Sequence, residues 1–153
     1  MRAGALLTLL LFAHLAMAQT TRKNPPTNVE KLCGKLVHSE DVPIKNSQNV
    51  FNTRSRNLPH IEVRLYRAED ILRCCDGLLL AAKTTTGRWG AFHFKEKGLT
   101  RGLYWIVVHP EGREYKLLLQ YDAKKRREQL CSQTFWELND AGDFWEAETV
   151  TLE

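Results

Sequence analysis

The sequence predicts an all-β sandwich of about seven short strands, on three observations. Apolar residues recur with period two in one short segment after another, as half-buried strands require. Turn signals separate those segments, at Asp76-Gly77, Thr86-Gly87, Lys97-Gly98 and Pro110-Glu111-Gly112. The length of 153 residues, with 43% apolar and 26% charged residues, suits one domain that buries roughly two-thirds of its unfolded surface. It leaves no room for a large catalytic barrel or a two-domain enzyme.

Residues 1–18 read as an export signal rather than as part of the fold. Arg2 gives a minimal positive start, the run from 3 to 15 is apolar apart from Thr8 and His14, and Ala16-Met17-Ala18 is a small-x-small cleavage site. The run is too short for a spanning helix, which needs ~20 apolar residues, and no later segment is long and apolar enough either. Cleavage after Ala18 predicts a secreted or periplasmic chain with no transmembrane segment, and removes only Arg2 from a formal charge of +4. Residues 19–28 are polar, carry Pro25-Pro26 and read as a flexible leader; the domain is expected over 29–153.

The strands follow in order. Leu32, Gly34 and Leu36 alternate with Cys33, Lys35 and Val37, and Ile61, Val63 and Leu65 alternate with Glu62, Arg64 and Tyr66. Leu78, Leu80 and Ala82 run into the β-favouring Thr84-Thr85-Thr86. Phe92 and Phe94 alternate with Ala91, His93 and Lys95; Tyr104, Ile106 and Val108 alternate with Trp105, Val107 and His109. Tyr115, Leu117, Leu119 and Tyr121 continue the series, and Val150 with Leu152 close it. Between the first two segments, residues 40–59 form a polar connection that is either a mobile loop or an extra edge strand. Residues 122–130 read as one short helix with Asp122 as N-cap, and 68–74 as a second helical turn.

Gly90-Ala91-Phe92-His93-Phe94 and Gly102-Leu103-Tyr104-Trp105-Ile106-Val107-Val108, with Thr86 ahead of them, resemble the Thr-x-x-x-Gly-x-Phe-x-Phe … Gly-x-Tyr-x-Ile-x-Val hairpin of carboxypeptidase-regulatory-like domains. Cys33-Gly34-Lys35-Leu36 is similar to the opening strand of that family, and His60-Ile61-Glu62-Val63-Arg64-Leu65 to its second. The resemblance covers roughly residues 32–121 and implies a seven-stranded prealbumin-like (transthyretin-like) sandwich, to which the short helix at 122–130 also conforms. Members of the family are commonly accessory modules of transporters, peptidases or carbohydrate-active enzymes, so the resemblance implies binding or structural work. The chain departs from the pattern in the 40–59 connection, in an insertion at 68–76 with paired cysteines, and in a tryptophan-rich tail.

Cys33, Cys74, Cys75 and Cys131 all survive cleavage, and in an oxidising compartment they read as disulfides with three pairings open. Adjacent cysteines rarely bond, so Cys74 and Cys75 are each expected to reach one of Cys33 and Cys131. Cys-x-x-Cys spacing, the mark of a redox or tetrahedral metal site, is absent, and the five histidines show no metal-ligand spacing. No metal and no cofactor is expected.

Exposed indoles stack on sugar faces or anchor protein partners, which makes Trp89, Trp105, Trp136 and Trp145 ligand-binding candidates. The competing role is structural, with Trp105 and Val107 on an outer sheet face covered by Phe135, Trp136, Phe144 or Trp145. Lys124, Lys125, Arg126 and Arg127 are candidates for contact with an anion or a partner; on a helix they would point all around the axis, so a solvated helix is the alternative. Gly-x-Ser-x-Gly, His-Glu-x-x-His and phosphate-cradling glycine loops are missing, so no catalytic residue is assigned. The expectation is a secreted, non-catalytic binding or structural module for an extracellular or envelope protein or polysaccharide, and not for nucleic acid. A small secreted hydrolase with a site built from loops such as 40–59 is the alternative.

Overall fold

The computed structural model describes residues 25–45, 51–123 and 131–148. They form ten strands in two sheets, a β-sandwich with two short 3-10 turns at Pro110–Gly112 and Cys131–Gln133. The strands are β1 (Thr27–Val29), β2 (Cys33–Pro43), β3 (Phe51–Asn57), β4 (Glu62–Arg67), β5 (Leu80–Thr85), β6 (Ala91–His93), β7 (Gly102–Val108), β8 (Tyr115–Tyr121), β9 (Thr134–Leu138) and β10 (Phe144–Glu148). Sheet A has the order β1-β8-β7-β4-β5 and is antiparallel except for the parallel pair β1–β8. Sheet B has the order β10-β9-β2-β3, with β2 and β9 parallel. β6 pairs with the start of β2, so β3 and β6 follow one another along that strand.

Alternation builds the core. Val63 and Leu65 of β4, Tyr104, Ile106 and Val108 of β7, and Tyr115, Leu119 and Tyr121 of β8 face Leu36, Phe92, Trp136, Leu138 and Phe144 of sheet B in one buried cluster. Trp136 is 0% exposed, its ring 6.0 Å from Phe92 and 6.2 Å from Phe144, and its indole N–H donates to the Cys33 carbonyl at 3.0 Å. Glycine is required where that ring crosses β2. Gly34 has φ +149°, and a Cβ there would lie 2.6 Å from the Thr134 carbonyl and 2.8 Å from the indole nitrogen. Gly90, at φ +80°, lets Leu36 N–H reach the Gly90 carbonyl at 2.9 Å; a Cβ would sit 2.7 Å from the Leu36 carbonyl oxygen.

Thr86 is a structural clamp. Its hydroxyl donates to the Leu58 carbonyl at 2.7 Å and accepts from Ile61 N–H at 2.8 Å, while its backbone binds His60 and Ile61. One side chain thereby holds the β3–β4 and β5–β6 connections together.

Several expectations are corrected. Ten strands are described where seven are expected: six of the seven recur, Val150 and Leu152 lie outside the described residues, and β1, β3 and the β9–β10 hairpin of the tail are added; Thr27 and Asn28, read as leader, pair with Leu119 and Gln120. Of the two readings of residues 40–59, the strand reading describes β3, which pairs with β2 from Val37↔Asn57 to Pro43↔Phe51. The helical turn at 68–74 is absent: the Asp70 carboxylate accepts from Leu72 N–H at 2.7 Å and Arg73 N–H at 2.9 Å, the side-chain bonding that competes with a helix. Cys33 bonds to Cys131, which leaves Cys74 and Cys75 with each other across a cis peptide bond. The signal 1–18, Val150 and Leu152, and all of the 122–130 helix beyond Asp122 and Ala123 lie outside the described residues.

Candidate functional site

The β9–β10 hairpin positions an open cleft that carries polar chemistry. Its turn is closed by Asn139, whose side-chain oxygen accepts from Asp143 N–H at 2.9 Å and whose amide donates to the Asp143 carboxylate at 2.9 Å. Two residues near the start of β8 tie the turn to sheet A: the Tyr115 hydroxyl donates to the Asn139 carbonyl at 2.9 Å, and Arg113 donates to the Asp140 carbonyl at 2.6 Å. The turn thus presents the Asp140 side chain in a fixed place. His38, buried midway along β2, meets it with Nε2 2.9 Å from Oδ1.

Beside Asp140 lies an open cleft of about 380 Å³ lined by Ser39, Glu40 and Asp41 of β2, Thr53 of β3, Glu137 of β9, Asn139, Asp140 and Ala141 of the turn, and Trp145 of β10. Alternation from the inward Leu36, Trp136 and Phe144 puts Ser39, Asp41, Glu137 and Trp145 on the outer face of sheet B, and Glu137 and Trp145 are direct cross-strand partners. The Ser39 hydroxyl donates to Glu137 at 3.3 Å and lies 3.3 Å from the Ser55 hydroxyl; Thr53 donates to Asp41 at 3.4 Å.

Four carboxylates line the cleft, from Glu40, Asp41, Glu137 and Asp140, and no lysine or arginine lines it. None of the four carboxylates has an ion pair to Lys or Arg among the described residues. The cleft is therefore a negative spot on a chain of net charge +4. Its chemistry is hydrogen-bond acceptance beside an indole wall, which suits a ligand rich in hydroxyl or amine donors. Among the described residues no group of three or more His, Cys, Asp and Glu could hold a metal ion. The bonds of Ser39 run to Ser55 and Glu137 rather than to His38, so the cleft contains no serine–histidine pair.

No family model, curated protein or solved structure matches the chain.

The four tryptophans do not come together. Trp145 lines the cleft. Trp136 is in the core, which removes it both as a ligand platform and as a cover for Trp105. Phe144 is in that core as well, while Phe135 and Trp145 belong to sheet B; Trp105 stands half-buried on sheet A outside the core cluster, with Lys116 Nζ 5.9 Å from its ring centre. Trp89 is 62% exposed in the turn before β6, with the Arg88 guanidinium 5.0 Å over its ring. Lys124, Lys125, Arg126 and Arg127 lie outside the described residues. Sequence reasoning missed His38, Ser39, Glu137, Asn139 and Asp140, and reached Glu40, Asp41 and Thr53 only as part of the 40–59 connection of the hydrolase alternative. A signal for half of the site existed: Asn139-Asp140-Ala141-Gly142-Asp143 is turn chemistry between two aromatic segments, the mark of a hairpin.

Proposed function

We propose that the protein is a secreted, non-catalytic binding module on a prealbumin-like sandwich, and that its sheet B cleft takes an extracellular or envelope saccharide. The observation that carries the reading is Trp145 standing beside Glu137, Asn139 and Asp140 in one cleft, because sugar recognition needs an aromatic face for the ring and fixed acceptors for the hydroxyls. The four carboxylates favour neutral or amine-bearing sugars and repel uronate-rich polymers. The two disulfides fit an oxidising compartment, and among the described residues no helix is long and apolar enough to cross a membrane.

The test is retention of the purified 19–153 chain on a panel of immobilised polysaccharides. Retention on a neutral or amine-bearing polymer is expected, with at least about tenfold loss for Trp145→Ala, since a stacked indole contributes on the order of 1–3 kcal/mol, and no change for Trp105→Ala. Retention only on acidic polymers, or insensitivity to Trp145→Ala, contradicts the reading. The hydrolase alternative draws on the same four carboxylates, which could supply an acid and a base. Release of new reducing ends by the wild-type chain, abolished in Glu137→Gln, would establish it instead.

A further inference from the structure

A second chemical feature lies on sheet A, on the excursion that joins β4 to β5 (residues 68–79). Arg67 N–H closes its neck on the Leu79 carbonyl at 2.9 Å, and Leu78 N–H donates to the Cys75 carbonyl at 3.1 Å. Cys74 and Cys75 are bonded to each other there and both are partly open to solvent. Four of the seven large apolar side chains exposed among the described residues, Ile71, Leu72, Leu79 and Leu80, gather on this excursion and its junction with β5. The other disulfide differs in each respect: Cys33 is 3% exposed on a central strand, and its bond to Cys131 spans 98 residues.

We propose that Cys74–Cys75 is a thiol–disulfide exchange site for an external dithiol, and that Cys33–Cys131 is the structural bond. Exchange requires a thiolate to reach a disulfide sulfur, and the partly exposed pair offers that access where Cys33 does not. Breaking a bond between adjacent residues releases no long chain loop, whereas opening a bond across 98 residues gives up the constraint that ties the start of β2 to the approach to β9. The exposed Ile71, Leu72 and Leu79 give an incoming dithiol apolar surface to settle on. In the first step one thiolate of the dithiol attacks a sulfur of the pair, forming a mixed disulfide and releasing the other cysteine as thiolate. The second thiolate of the dithiol then attacks its own sulfur in that mixed disulfide and expels the remaining cysteine. Two electrons pass to the pair, the dithiol leaves as its disulfide, and its two protons end on Cys74 and Cys75.

The experiment incubates the native chain with graded dithiothreitol, traps free thiols with iodoacetamide and maps the peptides. Alkylation of Cys74 and Cys75 is expected at a dithiothreitol concentration at least about tenfold below that needed for Cys33 and Cys131. The melting temperature of the selectively opened protein should stay within about 2 °C of the oxidised form. Opening of Cys33–Cys131 first or within that tenfold window, a larger fall in melting temperature, or peptides linking Cys74 or Cys75 to Cys33 or Cys131 would overturn the proposal.

Discussion

Trp136 is the largest fully buried side chain of the core. Its indole fills the space between Phe92 and Phe144, and its N–H satisfies the Cys33 carbonyl in the buried start of β2. Trp136→Ala is expected to cost roughly 3–5 kcal/mol of unfolding free energy in a denaturant titration. Trp136→Phe should keep most of the packing but strand a buried carbonyl, for roughly 1–3 kcal/mol. Tyr121 sets the behaviour at high pH. Burial, reinforced by the nearby Glu96 carboxylate, raises its phenol above the ordinary tyrosine value. The folded chain therefore holds this proton after the unfolded chain has lost it. Stability is full below the unfolded value of about 10 and falls as pH rises through and beyond it. Tyr121→Phe should flatten that alkaline decline in thermal melts, and an unchanged slope would remove Tyr121 as its source.

Elements with strict alternation were legible; those without it were not. Tyr104, Ile106 and Val108 announce β7, and Val63 and Leu65 announce β4, because every second residue enters the core. In β9 and β10 the aromatics come in adjacent pairs, Phe135-Trp136 and Phe144-Trp145, so one of each pair points outward and the period is hidden. β1 has three residues and is held by its parallel partner β8, a long-range pairing that a local pattern does not report. The cleft was illegible for the same reason, since parallel pairing of β2 with β9 brings residues 39–41 beside residues 137–140 and depends on register. The hairpin turn is the element on which that site depends. Asn139→Ala removes both side-chain bonds to Asp143 and should lower stability by roughly 1–2 kcal/mol. It should also weaken ligand retention by freeing Asp140, whereas equal retention would show that the turn does not organise the cleft.

At the scale of the whole molecule, the Cys33–Cys131 bond joins the first long strand to the approach to β9, its neighbour in sheet B. A Cys33→Ser, Cys131→Ser double substitution removes a loop constraint of 98 residues and should cost roughly 4–5 kcal/mol, read from the shift in the denaturation midpoint. The charge of the molecule is divided as well: a net positive chain carries four carboxylates around one indole. The central claim is that this cleft takes a saccharide, and the four tryptophan indole N–H resonances test it directly in a titration with β-1,4-linked glucose and glucosamine oligosaccharides. The account predicts that the Trp145 signal shifts while those of Trp89, Trp105 and the core Trp136 stay in place. Movement of Trp89 or Trp105 instead, or of none of the four, would contradict it.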